Sequence, residues 1–291
     1  MTSLLMDLGG TRVKTGVIEG DRLLIRGVYE IGDEKLVEAI ARIGEQVLDG
    51  DAPDEAAMCV PGLVNDDGVL VSLPGKHDGL EGTNIAELLQ ELFDVERALV
   101  TNDAIAYATG ESTAGAGRGA ARAVVVTIGT GVGVAVIEDG IPVTGGIYGG
   151  GILGGFIPIT DDTGDLDTSG QRGTIEALCA ARRIVECCGG LYSTVPEVYD
   201  AYEREEPAAI AGVERYRARL VRALVALASA HAPDVIILGG GPMTPGNPVT
   251  NGVEPLVNEH LFGSYRTEVR VAELGDEAAI VGLGHLLVAS A

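Results

Sequence analysis

Apolar and polar positions along this chain repeat in two tempos, one of strands and one of helices. Leu4–Leu24, LLMDLGGTRVKTGVIEGDRLL, is an apolar run that stops at Asp7, turns through Gly9-Gly10-Thr11 and resumes as a second strand-like run. Val124–Val143, VVVTIGTGVGVAVIEDGIPV, follows the same plan about 120 residues later. The first unit runs on through TGVIEGD and the second through VAVIEDG, so the pattern predicts a duplicated architecture. Between them, KLVEAIARIGEQVL and NIAELLQELF carry apolar residues at helical spacing, while EAAMCVP and RALVTND read as short buried strands. Downstream, Gly145–Gly155 reads as a glycine-dense loop and Gly173–Cys188 as a helix. Glu214–Ala230 reads as a helix with arginines on one face and leucines on the other. Asp234–Leu238, DVIIL, is a buried strand that runs straight into Gly239-Gly240-Gly241, and Asp276–Ser290 closes the chain as a helix. Strands alternating with helices make the fold α/β, in two lobes. The first is expected over residues 1–105, completed by the helix at 276–290, and the second over 106–275.

Composition narrows the partners. The 291 residues hold a substantial core, and the formal charge of −23 argues against nucleic acid or anionic membrane as the main partner. No apolar run approaches the roughly 20 residues needed to span a bilayer. The N-terminus lacks the basic flank and cleavage pattern of an exported chain, so a cytoplasmic protein is expected. Only Lys14, Lys35 and Lys76 are lysines and arginine supplies the other 17 positive charges. That bias fits a salt-loving host or a GC-rich genome, and both remain open. Cys59, Cys179, Cys187 and Cys188 form no CxxC pair, which indicates neither a zinc site nor a disulfide framework, so they read as buried, inert thiols.

The glycine turns carry the chemistry. The P-loop and the dinucleotide fingerprint both lead into a helix, whereas here a strand follows the first turn. Three glycine turns follow strands: Gly9-Gly10-Thr11, Gly129-Thr130-Gly131 and Gly239-Gly240-Gly241. Glycine lets backbone N–H groups approach an anion closely, and Thr11 or Thr130 adds a hydroxyl donor. One such turn alone is no more than a tight hairpin; three of them, with an Asp before the first, point to a nucleotide site. Asp103, in VTNDAIA, ends a strand and precedes a helix. Either it accepts the proton of an attacking hydroxyl, or Asn102 or Asp103 simply caps the helix. Asp7, a carboxylate beside phosphate, is expected to meet Mg²⁺, directly or through water.

Taken in order, DLGGTRVKTGVIEGD, VPGLVNDDG, TNDAIAYATGE, VTIGTGVGVAVIEDG, SGQRGTIE, VIILGGG and LGDEAAIVGLG resemble the ROK family. That family comprises bacterial and archaeal sugar kinases, and repressors derived from them, within the actin-like ATPase/sugar kinase superfamily. The resemblance runs from residue 4 to about 288. It implies a two-lobed actin-like ATPase (ribonuclease H-like) fold with duplicated lobes around an interlobe cleft. In each lobe a β-hairpin whose turn contacts ATP phosphates replaces the P-loop. On these residues it makes Asp103 the general base and Asp7 a Mg²⁺ or water contact. It puts Gly9, Gly10, Thr11 and Lys14 on the nucleotide, makes Gly129-Thr130-Gly131 the second phosphate loop and lays Gly239-Gly240-Gly241 against the adenosine. Gly62, Asn102 and Asp103 fall on the acceptor side, with His77 and Glu176 as further pocket candidates. The plainer readings of those two are a loop histidine and a solvated helical glutamate. The family also implies a homodimer.

Several departures bear on the acceptor. The family's zinc motif, CxCGxxGCxE, is here Asp167-Thr-Ser-Gly-Gln-Arg-Gly-Thr-Ile-Glu176, with Asp167, Ser169 and Thr174 at the three cysteine positions. No structural zinc is expected. The family's Gly-Glu-x-Gly-His, with its sugar-binding Glu and zinc-binding His, is replaced by GGGILGGFIPI. There Ile152 or Leu153 stands for the Glu, and Gly155 or Phe156 for the His. NDANA becomes NDAIA, with Ile105 for the second Asn. A pocket that loses polar partners penalises an unpaired hydroxyl. The acceptor is therefore expected to be an aminosugar, a deoxysugar, a cyclitol or a nucleoside-like polyol rather than glucose. The expected reaction is Mg²⁺-dependent phosphoryl transfer from ATP, against the alternatives of a glucokinase-type hexose kinase or a non-catalytic sensor. Repressors of the family carry an N-terminal helix-turn-helix, whereas this chain begins at its first strand and is strongly acidic, which counts against DNA binding.

Overall fold

The first hairpin sets the plan of the whole chain. In the computed structural model, which describes residues 1–73, 79–144, 153–160 and 164–290, β1 (Thr2–Leu8) and β2 (Arg12–Glu19) pair antiparallel with Asp7 opposite Lys14. β3 (Arg22–Glu30) continues the meander. Helix α1 (Leu36–Leu48) then returns the chain to β4 (Glu55–Val60), which lies parallel to β1. A small hairpin follows, β5 (Leu63–Val64) with β6 (Leu70–Ser72), then α2 (Ile85–Phe93), β7 (Arg97–Asn102) and α3 (Asp103–Thr113). The sheet order is β3-β2-β1-β4-β7. β4, EAAMCV, is buried at every position because helices cover both faces of the sheet.

Strand parity sorts β1 between those faces. Leu4, Met6 and Leu8 pack with Ile40, Ile43, Leu89 and Phe93 of α1 and α2. Leu5 packs on the other side with Ala57, Cys59, Ala106 and the C-terminal helix Ala278–Ala289, through Ile280, Leu283 and Leu287. α3 and that helix touch backbone to backbone. A Cβ on Gly110 would overlap Ala278 O, and one on Gly282 would overlap Ala106 O. Met1–Ala114 and the stretch from Asp276 onward form one compact unit.

The second unit spans Gly115–Val143 and most of the chain up to Gly275. Its strands repeat the first unit's order: β8 (Arg122–Ile128), β9 (Val132–Glu138), β10 (Ile141–Pro142), then β11 and β12. The helices between are α4 (Ile175–Cys179), α5 (Arg182–Glu186), α6 (Val195–Glu203) and α7 (Pro207–His231). β11 (Val235–Gly239), α8 (Val253–Glu259) and β12 (Glu268–Val271) follow. The sheet order is β10-β9-β8-β11-β12, the first unit's order strand for strand. Parallel pairing of β8 with β11 and of β11 with β12 completes the match, so the duplication read from two short segments extends over both sheets. The Glu-Asp-Gly hairpin signal is met by Asp139 at φ +50° and Gly140 at φ +80°.

Three predicted elements differ. Gly173–Cys188 is not one helix: α4 stops at Cys179, Ala180 is extended at ψ 149°, and Ala181 N–H bonds Gly129 O at 2.9 Å before α5 begins. A tertiary bond to a turn overrides helical propensity there. Helix α7 starts seven residues ahead of the expected Glu214, with Pro207 in its first turn where a missing N–H costs nothing. Of the glycine-dense stretch Gly145–Gly155, residues 145–152 lie outside the described residues, and Leu153–Phe156 is a turn of 3₁₀-helix rather than irregular loop.

Candidate active site

In the first unit the candidate residues gather at the carboxyl ends of the parallel strands, where ligands meet open α/β sheets. Asp7 pairs with Cys59 across β1–β4, and Cys59 with Thr101 across β4–β7, so the rim runs Asp7, Cys59, Thr101 and then Asn102 and Asp103. The Cys59 thiol donates to Asp7 Oδ1 at 3.3 Å. Burial pushes that thiol well up, and the nearby Asp7 and Asp103 carboxylates push it further. Cys59 is thus inert as a nucleophile, yet it contacts a site carboxylate, which its buried setting did not disclose. Desolvation also raises Asp7 above the ordinary carboxylate value, against the pull of Lys14. Lys14 Nζ lies 3.8 Å from Asp7 Oδ2 and 2.8 Å from Asp276 Oδ1, at the start of the C-terminal helix segment.

Capping falls to Asn102. Its Oδ1 accepts from Ala104 N at 2.8 Å and from Ile105 N at 3.4 Å, and its Nδ2 donates to Gly62 O at 2.7 Å. Gly62, at φ +96°, presses on Ser72 O of the β5–β6 hairpin. Asp103 is therefore the first helical residue rather than the cap, its Oδ1 taking Ala104 N at 2.8 Å. Ile105 is buried. His77 lies outside the described residues.

The two glycine turns differ by one residue. Gly9 N–H bonds Arg12 O at 2.8 Å, whereas Gly129 N–H bonds Gly131 O at 2.9 Å. Among the described residues, the N–H groups of Gly10, Thr11, Thr130 and Gly131 have no acceptor. Gly10, Gly129 and Gly241 share a further property: none has a left-handed φ, and a Cβ on any of them would meet nothing within 4 Å among the described residues. Neither a left-handed φ nor packing among the described residues calls for glycine there. Gly240 is the contrast, at φ +96° with no room for a Cβ against Ile128 O, so it docks the end of β11 on β8.

Glu176 is not a solvated helical glutamate. It is 4% exposed, with Val132 N–H on Oε2 at 3.0 Å and Thr168 N–H and Oγ–H on Oε1 at 2.9 and 2.7 Å. Asp167 anchors the adjoining loop: Ser169 N–H, Ser169 Oγ–H and Gln171 N–H bond Oδ1, and Thr174 Oγ–H bonds Oδ2, all at 2.8–2.9 Å. Burial raises this carboxyl, but the Ser169 and Thr174 hydroxyls and the two N–H donors outweigh it and hold it below the ordinary value. All four cysteines are buried.

This architecture has known counterparts. The ROK family model matches residues 4–289. The chain belongs to the ROK family. A glucokinase from Thermotoga maritima is 26% identical over 97% of this chain and 96% of its own length. An N-acetylmannosamine kinase from Haemophilus influenzae is 25% identical over 98% of this chain and 95% of its own length. A ROK hexokinase from Thermus thermophilus superposes with a TM-score of 0.85 at 26% identity, each chain covered completely. The fold is that of the two-lobed actin-like ATPases.

Proposed function

We propose that this ROK protein is an ATP-dependent kinase that phosphorylates a hydroxyl of a sugar or sugar-like polyol. The observation that carries the reading is the set of glycines, Gly10, Gly129 and Gly241, that nothing among the described residues requires. They sit at both hairpin turns and just past β11, and at the two hairpin turns they lie beside N–H groups without acceptors among the described residues, as expected where backbone approaches phosphate or a nucleotide. Thr11, Thr130 and Lys14 add donors to the turns, and Gly239-Gly240-Gly241 lies against the adenosine.

In this reading Asp103, fixed at the start of α3 by the Asn102 cap, takes the proton of the acceptor hydroxyl. The acceptor oxygen forms its bond to the γ-phosphorus while the bond to the β–γ bridging oxygen breaks, and ADP leaves with that electron pair. The donor set fits Mg²⁺, a hard cation that takes one or two carboxylates and completes its shell with water and phosphate oxygens. Asp7 would hold it, and when bound the ion neutralises charge on the transferring phosphates. Lys14, itself paired to Asp276, offers a second positive charge beside Asp7.

On the acceptor side we favour an aminosugar, a deoxysugar or a cyclitol over glucose. Ile105 and Leu153 are apolar, and most polar atoms of Asn102 and Glu176 are engaged within the chain, so few groups remain to pair a hexose's full set of hydroxyls. The likeness to a glucokinase supports a hexose kinase as the second reading. A cytoplasmic homodimer is the assembly we expect from the family resemblance. Among the described residues no helix is long and apolar enough to cross a membrane.

The test is ADP release with Mg-ATP across glucose, N-acetylmannosamine, N-acetylglucosamine, fructose, kanosamine, inositols, C7-cyclitols and nucleosides, with Asp103→Asn as the blank. Turnover on a non-glucose acceptor, abolished in the variant, supports the whole reading. Glucose as the best acceptor overturns the pocket argument. Silence across the panel with nucleotide still bound favours a sensor.

A further inference from the structure

We propose that Asp276 is a positioning residue that draws Lys14 back from Asp7 and so keeps one oxygen of that carboxylate open to Mg²⁺. The inference rests on the reading that Asp7 meets the metal of a bound nucleotide. Asp7 and Lys14 face each other across β1–β2, with only the Leu8–Val13 pair between them and the Gly9-Gly10-Thr11 turn. Side chains directly opposite in an antiparallel pair share a face of the sheet, so Lys14 is the cation nearest to hand for Asp7. A direct bond is nonetheless not made. Lys14 Nζ stops 3.8 Å from Asp7 Oδ2, beyond hydrogen-bond length, and donates instead to Asp276 Oδ1 at 2.8 Å.

The other Asp7 oxygen, Oδ1, already accepts the Cys59 thiol at 3.3 Å. Were Nζ to close the remaining gap, both oxygens would be engaged within the chain, and a positive charge would stand where a cation has to arrive. With Nζ held at Asp276, Oδ2 accepts no hydrogen bond among the described residues. The ammonium group has three donors and spends one on Asp276, which leaves two for phosphate oxygens.

Backbone packing makes Asp276 a firm anchor although its side chain is exposed. It lies in the 3₁₀ turn Gly275–Glu277 that opens the C-terminal helix. That helix meets α3 with Ala278 O against Gly110 and Gly282 against Ala106 O, and it packs on β1 through Leu5. β1 carries Asp7 and α3 begins with Asp103, so one helix fixes Asp276 against both elements that hold the site carboxylates. Lys14 and Asp276 lie 262 positions apart, so no local pattern announces the pair. A carboxylate near a nucleotide repels its phosphates, and removing one by simple charge should tighten binding with or without metal. Release of Lys14 onto Asp7 has the opposite effect, and only on the Mg²⁺ complex.

Calorimetry on the full chain, with AMPPNP in Mg²⁺ and again in EDTA, tests this. Asp276→Asn is expected to weaken Mg-AMPPNP about two- to fivefold, the scale of an exposed ion pair, while metal-free AMPPNP binds as in the wild type or tighter. Asp276→Glu keeps the carboxylate and should hold the wild-type advantage of Mg²⁺ over EDTA. In a Lys14→Gln background, Asp276→Asn should no longer weaken Mg-AMPPNP, since the group it restrains is gone. The Asp276 side chain is 94% exposed, so its variants keep the fold. Mg-AMPPNP affinity in Asp276→Asn equal to or above the wild type overturns the proposal. So does a loss that is equal without metal, or one that persists in the Lys14→Gln background. A wild type that binds AMPPNP equally in Mg²⁺ and EDTA overturns the metal role of Asp7, and one that binds no AMPPNP overturns the phosphate-turn reading; the proposal falls with either.

Discussion

Alanine at Gly10 or Gly129 should leave the fold untouched and damage nucleotide binding, whereas alanine at Gly240 should damage the fold itself. At Gly10 and Gly129 the added methyl meets nothing within 4 Å among the described residues, and φ lies outside the left-handed region that favours glycine. Stability should therefore change by no more than about 0.5 kcal/mol, or rise slightly as the unfolded chain loses freedom. A methyl at the turn keeps a phosphate oxygen from its N–H, and a hydrogen bond to a charged group is worth about 1.5–3 kcal/mol. At about 1.4 kcal/mol per decade, Mg-AMPPNP affinity should fall roughly 10- to 100-fold. At Gly240 an L-residue at φ +96° costs about 1–3 kcal/mol, and overlap with Ile128 O adds about as much again, so the apo protein should melt several degrees lower. Thermal unfolding and calorimetry on the three variants give the answer. If Gly10→Ala and Gly129→Ala bind Mg-AMPPNP as the wild type does, the open space above the turns is not where phosphate lies. If they lose several kcal/mol of stability, the space is not open.

Asp7→Asn should abolish turnover yet stabilise the apo protein by about 1 kcal/mol, read as a higher melting temperature, because it removes a buried charge. The sign follows from the raised carboxyl: its contribution to stability is greatest below the ordinary carboxylate range and falls as pH rises through the raised value, so the gain from Asn should vanish in acid. Asp167 has the opposite sign. Its lowered carboxyl contributes stability above the ordinary carboxylate range that is lost as pH falls through the depressed value, and Asp167→Ala should flatten that part of a melting-temperature-against-pH curve. Gly282→Val, which drives a side chain into Ala106 O, should cost about 3 kcal/mol or more and lower kcat by shifting the helix that carries Asp103; denaturant melts and kinetics would show whether both move together.

What was legible in the sequence, and what was not, divides along the same line as the chemistry. The hairpins could be read because period-two apolar runs and glycine turns are local signals, and the second copy reinforced the first. β3, mostly exposed, and the four-residue β12 offered no such rhythm, and α6 and α8 are short helices with few buried positions. The break between α4 and α5 carries no glycine or proline; it exists because Ala181 N–H bonds a turn some fifty residues earlier. Cys59 was visible only as one more apolar position, although counting from the strand ends places it beside Asp7 in the parallel register. The phosphate-side candidates are backbone groups at turns, and glycine announces them wherever the chain gives it no other task. Acceptor-side candidates are side chains, whose availability depends on what tertiary folding has already asked of them. Asn102 and Glu176 have the right residue types for sugar hydroxyls, yet one caps α3 and holds Gly62 while the other joins Val132 to Thr168. A donor or acceptor engaged inside the protein must give up that bond to meet a ligand, at the cost of a buried polar group left unpaired. Residue type alone therefore overstates the polarity of the acceptor pocket, and the hydroxyl pattern of the true substrate should follow the groups that folding leaves free.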